Sequence, residues 1–153
     1  MDKNIQIIEE GKRDKRGAIS DLENLYIHMV KYRMVRYNQD SDWVDTIYKC
    51  IISLSDVIYN NKNIRNELES KLNSCLSKGI KNAKIQCMPY NDNIDETEVY
   101  KVIQEDLNDN FDWKNIDQIL NPIVMSRWLY KHRALNAFKA KSVLEKLHKR
   151  FNY

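Results

Sequence analysis

The chain has 153 residues, of which 42% are hydrophobic and 31% charged, and its formal net charge is +3. This length suits a single domain, residues 1–153, that buries its own core without disulfides or metals. The apolar runs are far shorter than the ~20 residues that cross a bilayer, and the first residues lack the apolar segment of a secretory signal. We therefore expect no membrane partner and a cytoplasmic location.

Scarce turn residues favour an all-α fold. The sequence contains three glycines and two prolines, whereas the hairpins of a β-sheet need residues that tolerate positive φ angles. Apolar residues instead recur every three or four positions, which is the period of an amphipathic helix. We expect an antiparallel helical bundle with four main helices and one or two short helices.

The first three main helices supply the expected core, which spans residues 17–88. The first helix covers about residues 2–37, and its two glycines leave open whether it is continuous. The second helix is expected to start at an N-cap formed by Asp42, and the third at an N-cap formed by Asn63. The third helix ends before position 89, because proline cannot continue a helix.

The rest of the chain divides into an acidic connector and a basic helix. Residues 89–121 hold nine acids against two lysines, a net charge of −7, and include a short helix that Asp95 is expected to cap. Residues 122–153 hold eight Lys or Arg against one Glu, a net charge of +7. Asn121 followed by proline predicts the start of one long final helix. Its apolar stripe drifts around the helix, which predicts that it packs across the core.

Six short segments, spread over residues 8–90, carry a resemblance to a known family. They are Glu9-Glu10, Lys12 to Arg16, His28 to Tyr32, Ser41-Asp42-Trp43, Ala83-Lys84 and Met88-Pro89-Tyr90. In this order they resemble family 29 of the domains of unknown function, a bacterial family. Tyr32 stands where that family usually has tryptophan, and the basic final helix has no clear counterpart. The resemblance implies an all-helical bundle and no particular chemistry.

The basic final helix is the expected partner-binding surface. Its cations attract phosphate without regard to nucleic-acid sequence, and neighbouring aromatic rings suit stacking on bases. The same cations attract an acidic protein, or are neutralised within the fold by the acidic connector, and all three interpretations stay open. The residues concerned are Arg127, Lys131, Arg133, Lys139, Lys141, Lys146, Lys149 and Arg150.

Arg127 and His132 form an Arg-x4-His pattern. It resembles the pattern of helical ribonucleases of the higher-eukaryote-and-prokaryote nucleotide-binding class. That resemblance implies that His132 handles a proton of a ribose 2′-hydroxyl while Arg127 stabilises phosphate charge, usually across a dimer. Trp128 departs from the polar residue that usually follows the arginine. Five positions also separate the two side chains by about 140° on an ideal helix.

A smaller polar constellation lies on the first two helices. His28 and Lys31 share one helix face, and Trp43 is expected nearby. The three residues form either a small polar site or the surroundings of a histidine that is satisfied inside the bundle. The three cysteines and three histidines match no zinc-binding spacing, and three isolated glycines cannot form a phosphate-binding loop. We expect no metal and no cofactor.

The favoured function is that of a non-enzymatic helical binding module. Its partner would be a protein or a nucleoprotein, and the chain would act as a small inhibitor of a bacterial or phage nucleic-acid machine or as a subunit of a larger complex. The alternatives are a dimeric, metal-independent ribonuclease and a non-specific nucleic-acid binder. A homodimer is compatible with each of these functions.

Overall fold

The computed structural model describes the backbone of residues 3–36, 39–90, 93–134 and 138–151, and the side chains of residues 14–36, 39–90, 93–134 and 143–150. These ranges contain seven α-helices and no β-strand, which confirms the predicted all-α bundle. The helices are α1 (Lys3–Met34), α2 (Ser41–Asn60), α3 (Lys62–Cys87), α4 (Glu96–Asn108), α5 (Ile116–Ile119), α6 (Pro122–Lys131) and α7 (Phe138–Phe151). A short 3-10 helix, Met88–Tyr90, follows α3.

Successive core helices run in opposite directions, so α1 is antiparallel to α2 and parallel to α3. The contacts that fix these directions are Asp21–Ser53 and Asn24–Cys50 between α1 and α2, and Lys15–Glu67 and Glu23–Lys78 between α1 and α3. The later helices pack against this core at the C-terminal end of α1 and along α2. In particular, α7 contacts both α6 and α2.

Helix α1 lies at the centre of the core and packs against both α2 and α3. Its apolar stripe is completely buried because neighbours cover it on two sides. The α1 residues with no exposed surface are Ala18, Leu22, Leu25, Tyr26, Met29, Val30 and Tyr32. The helix is continuous through both of its glycines, so the question left open by the sequence is settled.

Helices α1 and α3 approach each other closely at Gly79. A Cβ atom at this position would lie 2.7 Å from the Cβ atom of Tyr26 and 3.2 Å from the backbone nitrogen of Ile27. Real side chains essentially never tolerate the shorter distance. The missing side chain therefore allows the two helices to pack in direct contact.

Polar side chains cap the beginnings of the helices. The predicted caps Asp95 and Asn121 are confirmed, since both accept hydrogen bonds from backbone nitrogens in the first turns of α4 and α6. The predicted caps of α2 and α3 were wrong by two residues. The side chains that accept these bonds are those of Asp40 and Asn61, which keep extended backbone angles immediately before each helix.

The prediction of one long final helix was wrong, because the chain leaves the helix after Lys131 and re-enters it at Phe138. The buried side chain of Gln39 accepts a hydrogen bond from the backbone nitrogen of Ala134 at 2.8 Å. It also donates to the carbonyl of His132 at 2.9 Å. These bonds satisfy backbone groups that a continuous helix would have paired within itself, so α6 ends here.

The three cysteines are buried free thiols. Cys50 lies on α2, and Cys75 and Cys87 lie on α3. Burial is the largest of the effects that raise the pKa of Cys50 and Cys75 to about 11. Both thiols are therefore protonated near neutral pH.

Candidate functional site

A buried carboxylate, that of Asp106 in α4, joins four parts of the fold. It is 1% exposed, a position in which an unpaired charge would be strongly unfavourable. Nε1 of Trp113 and Nε1 of Trp128 donate to its Oδ2 at 2.9 Å and 3.0 Å. Nε and Nη2 of Arg33 lie 3.4 Å from Oδ1, and Nε2 of His132 lies 3.3 Å from the same oxygen. Helices α1, α4 and α6 and the loop before α5 thus meet at one charged group.

The partners of Asp106 lower the pKa of its carboxyl from 3.8 to about 2. Burial is the largest single effect and acts in the opposite direction, since it disfavours the charged form. The hydrogen bonds from His132, Trp128 and Trp113, together with the charge of Arg33, outweigh it. Asp106 is therefore ionised at neutral pH.

Trp128 is the centre of an aromatic cluster beside this carboxylate. Its ring stacks on Phe111 with 5.1 Å between ring centroids, and it meets Trp113 edge to face at 5.5 Å. The rings of Tyr32 and His132 lie 5.8 Å and 5.6 Å from that of Trp128. Because these rings come from α1, from the loop before α5 and from α6, the cluster fixes the orientation of α6 on the core.

A cleft of about 270 Å³ opens beside the cluster, between the C-terminal end of α4 and one face of α6. We call it the α6 cleft, and the residues that line it are Asp106, Asp109, Asn110, Phe111, Val124, Arg127, Trp128, Lys131 and His132. Nζ of Lys131 lies 2.7 Å from Oδ2 of Asp109. Arg127 is exposed and forms no ion pair with any residue that the structure describes. The cleft therefore combines aromatic residues, one cation paired with Asp109 and one cation without an ion pair to a described residue.

Arg127 and His132, which the sequence pattern singled out as a pair, line this same cleft. His132 is 8% exposed and presents Nε2 to Asp106. A carboxylate in this position fixes the orientation and tautomer of an imidazole ring. Nε2 is therefore engaged within the fold.

The other predicted partner-binding cations lie on α7, except Arg133, which follows the end of α6. The guanidinium of Arg133 lies 3.6 Å from the ring centre of Tyr130. Lys146, Lys149 and Arg150 are exposed on α7. The side chains of Lys139 and Lys141 lie outside the described residues. The predicted surface is thus distributed over two helices and not one.

The predicted polar constellation lies at the interface of α1 and α2. Nδ1 of His28 donates to the carbonyl of Asn24 at 2.8 Å. Nζ of Lys31 lies 5.9 Å from the ring centre of Trp43, which is a cation–π contact. Burial is the largest cause that lowers the pKa of both His28 and Lys31. The contacts that the structure gives to His28 and Lys31 are thus made within the bundle.

Metal-ligand clusters and membrane-spanning segments are absent from the described residues. Within these ranges, no three or more His, Cys, Asp or Glu side chains are grouped so as to hold a metal ion. The helices in the same part of the chain are too short or too polar to cross a bilayer.

The sequence pattern did not identify Asp106 as a site residue, because it counted only as one of nine acids in the connector. A signal was nevertheless present. Asp106 follows Val99 and Ile103 by seven and three positions on the buried face of α4. An acid within an apolar stripe predicts a buried and paired carboxylate. Its partners Arg33 and Trp128 are distant in sequence, so no local pattern reveals them.

The family model described as Domain of unknown function DUF29 matches residues 5–116. This segment covers more than half of the chain and runs from α1 to the start of α5, and α6 and α7 follow it. No curated protein and no solved structure matched the chain. Asp106 lies inside the matched segment and His132 beyond it, so the site connects the family domain with the helices that follow. The chain belongs to the DUF29 family, as its sequence resemblance predicted.

Proposed function

We propose that the chain is a non-enzymatic helical binding module whose partner presents negative charge to α6 and α7. The partner is a protein or a nucleoprotein in a bacterial or phage-infected cytoplasm, and the module acts on it as a small inhibitor or as a subunit. One observation carries the proposal. Arg127, Lys146 and Lys149 are exposed and have no ion pair with any described residue.

The partners of the acidic connector support this proposal. Its ion pairs with Lys and Arg among the described residues are Glu98–Lys101, Glu105–Arg33, Asp106–Arg33, Asp109–Lys131 and Asp117–Arg65. Most of these cations belong to α1, α3 or α4, and one belongs to α6. None of these pairs involves Lys146 or Lys149. Lys146 and Lys149 therefore have no acidic partner among the described residues, which supports a role for them in partner binding.

Lys146 and Lys149 also share one face of α7, because residues three apart are neighbours on a helix. Exposed charges at this spacing act mainly by steering an oppositely charged partner and are screened by salt. We therefore expect an affinity that decreases as salt is added. The same face offers a simple handle for mutagenesis, since neither side chain contributes to the core.

The test is a charge reversal with a matched control. Fluorescence anisotropy measures binding of a labelled polyglutamate peptide and of a single-stranded RNA at low salt. Lys146→Glu with Lys149→Glu should weaken binding by at least about tenfold, the equivalent of ~1.4 kcal/mol. Lys81→Glu with Lys84→Glu places the same charges at the same spacing on α3, where both lysines are exposed. That control should change the affinity by less than about threefold.

The outcomes separate the proposed partners. Binding of the peptide, lost in the α7 variant alone, supports an acidic protein partner. Binding of RNA alone, with an affinity that falls steeply between roughly 50 and 200 mM salt, supports the non-specific nucleic-acid binder. Failure of both probes to bind, or an equal loss in the two double variants, contradicts the proposal. Sedimentation of the free chain reports whether a homodimer forms.

A ribonuclease is the second candidate, because Arg127 and His132 line one cleft. In that reaction His132 would accept the 2′-hydroxyl proton and Arg127 would stabilise the charge on phosphate. The test measures cleavage of labelled RNA in the presence of EDTA by the parent chain and by His132→Ala, with circular dichroism as a check on folding. Cleavage that is the same in both proteins removes this candidate.

A further inference from the structure

We propose that the α6 cleft binds a small anionic ligand that carries one flat ring, an aryl phosphate or an aryl carboxylate. The site is separate from the partner surface on α7, because neither Lys146 nor Lys149 lines it. Arg127 belongs both to this site and to the proposed partner surface, whereas Lys146 and Lys149 belong to the partner surface alone, so the variants of these two lysines test the partner surface without altering the cleft.

The charges in the cleft select an anion. Two carboxylates line it, and both are already paired. Asp106 is paired with Arg33, and Asp109 is 2.7 Å from Lys131. Arg127 is the remaining charged side chain in the lining, and it has no ion pair with a described residue. An arginine fork is suited to two parallel hydrogen bonds with a phosphate or a carboxylate.

The apolar wall of the cleft selects a flat ring. The rings of Phe111 and Trp128 are stacked with an interplanar angle of 18°, and Val124 lies beside them in the lining. Phe111 and Trp128 are 6% and 3% exposed, so a small part of each ring, together with Val124, is left to contact a flat apolar body in the cleft. Ring and anion would therefore be held by different parts of one cavity.

The cleft is fixed before any ligand arrives. Trp128 and His132 are both held by Asp106, and the carbonyl of His132 is held by Gln39. Asn110, at the mouth of the cleft, has a φ angle of 68°, the left-handed conformation that asparagine tolerates better than most residues. Side chains that are already immobilised lose little conformational entropy on binding.

The size of the cleft limits the ligand. Its volume of about 270 Å³ is slightly below the range of roughly 300–1,000 Å³ that is typical for pockets of drug-sized molecules. There is room for one ring and one anionic group. Larger molecules would fit only if the remainder projected from the mouth of the cleft.

Isothermal titration calorimetry with the full chain tests the site. The probes are phenyl phosphate and benzoate, with inorganic phosphate and a pyrimidine 5′-mononucleotide as comparison. We expect phenyl phosphate or benzoate to bind at millimolar or lower concentration, and inorganic phosphate to bind at least about tenfold more weakly, because it gains nothing from the aromatic wall. Binding of the mononucleotide as tight as that of phenyl phosphate would show that the ring and the phosphate can be joined through a sugar, and it would identify nucleotides as the source of the ring and the anion.

Variants locate the binding. Arg127→Gln should weaken the binding of the best probe by at least about tenfold, because it removes the charge-assisted hydrogen bonds. Arg127→Lys should recover part of that loss. Lys81→Gln removes one exposed cation from α3, outside both the cleft and the partner surface, and should leave the affinity unchanged. Val124→Trp, at a half-buried position in the lining, fills the cleft and should abolish binding while Arg127 remains.

Several results would overturn the site. They are failure of both aryl probes to bind, equal affinity for inorganic phosphate and phenyl phosphate, or an affinity that is unchanged in Arg127→Gln. An equal loss in Lys81→Gln would also do so, since it would mean that the probe senses only the net charge of the protein. Circular dichroism of each variant shows that the fold is intact, which is expected because Arg127 is exposed.

Discussion

The carboxylate of Asp106 shows how one residue determines the structure around it. It is buried, and it accepts hydrogen bonds from two indole nitrogens while Arg33 supplies a positive charge. Removing one partner of a buried charged group leaves the other uncompensated, which is far more unfavourable than losing a pair on the surface. Asp106 and the exposed Asp109 lie three residues apart. Their substitution therefore compares the contributions of a buried and an exposed carboxylate to the free energy of unfolding.

We expect Asp106→Asn to lower the free energy of unfolding by about 3 kcal/mol, because the neutral amide leaves Arg33 without its buried counter-charge. Asp109→Asn removes an exposed partner of Lys131 and should lower it by less than about 1 kcal/mol. Urea denaturation followed by circular dichroism measures both values. Equal effects of the two substitutions would mean that the buried network contributes no more to the free energy of unfolding than the exposed ion pair does.

The lowered pKa of Asp106 also predicts a pH dependence. In the unfolded chain the carboxyl takes up a proton near its ordinary pKa of 3.8, whereas in the folded chain it resists protonation until about 2. The contribution of this group to stability is therefore present above 3.8 and is lost as the pH falls towards 2, by about 2 kcal/mol. Urea midpoints across this window should fall less in Asp106→Asn than in the parent chain. The same pH dependence in both proteins would contradict the assignment.

The roles of single residues were the hardest part to predict from sequence. A basic pair five positions apart singled out Arg127 and His132, and the cleft contains both. Asp106 and Gln39 were missed, because their partners come from helices that are remote in the chain. A local pattern reports which face of a helix is apolar, but not which residue of another helix will meet it.

At the scale of helices, Gly79 and Gly17 allow the effect of an added Cβ atom to be compared at a closely packed and at an open position. Alanine is favoured over glycine within a helix by about 1 kcal/mol. At Gly17 an added Cβ would meet nothing within 4 Å, whereas at Gly79 it would clash with Tyr26 and with the backbone of Ile27. We expect Gly17→Ala to raise the free energy of unfolding by up to about 1 kcal/mol. Gly79→Ala should lower it by at least about 1 kcal/mol, since overpacking outweighs helix propensity.

Thermal and urea denaturation of the two glycine variants measure this difference. A stabilising effect of Gly79→Ala would show that α1 and α3 separate easily, and it would contradict the close packing. An unchanged free energy of unfolding in Gly17→Ala would instead indicate that α1 is frayed at this position.

Gln39 is the residue that ends α6, through its hydrogen bonds to backbone groups of His132 and Ala134. Gln39→Ala should destabilise the fold by roughly 2 kcal/mol, because buried backbone groups lose their partners. Gln104→Ala is the control, since Gln104 is exposed and bonds only the side chain of Asn108. Hydrogen exchange at Ala134 provides a local readout. An equally protected amide in Gln39→Ala would show that another group satisfies it.

Helix positions were largely predictable because stripes and polar caps are local signals. The stripe of α2 and the Asn121-Pro122 start of α6 are examples. The break between α6 and α7 was not predictable, since residues 132–137 contain neither glycine nor proline. The chain leaves the helix there because a side chain from the α1–α2 connection replaces the helical hydrogen bonds.

At the scale of the whole molecule, the family-matched segment and the helices after it form one core. Met125, Trp128 and Leu129 of α6 are each at most 3% exposed. The hydroxyl of Tyr32 donates to the carbonyl of Leu129. The matched segment ends at residue 116, before any of these groups. Its apolar surface is therefore covered by residues that lie outside the family match.

We expect a fragment of residues 1–116 to lack a cooperative unfolding transition, because the loss of α6 exposes the aromatic cluster and leaves Asp106 without Trp128. A fragment of residues 1–134 keeps α6 and should unfold cooperatively with a lower midpoint, since α7 buries Leu144. Circular dichroism on heating checks both. A sharp transition in the shorter fragment would show that the family domain is independent of α6.

The fold class followed from composition and periodicity, which are properties of the whole sequence. The pairing of the charges did not follow from these properties, because a net charge of −7 beside one of +7 does not show which cations will pair with which acids. In the folded chain Arg33 and Arg65 form ion pairs with three of the nine acids of the connector, which are Glu105, Asp106 and Asp117. That pairing depends on how α1 and α3 are placed, and no segment of the connector encodes it.

The buried cysteine thiols report how often the helices that carry them open. The thiolate form of cysteine attacks iodoacetamide and displaces iodide. Cys50 and Cys75 are buried and protonated, so their alkylation requires local opening of a helix. Mass spectrometry of digested samples, taken over hours, would then measure the alkylation rate of each native cysteine, and no cysteine needs to be added by mutation. Because Cys50 marks α2 and Cys75 marks α3, the order in which the two peptides gain mass would reveal which helix detaches first.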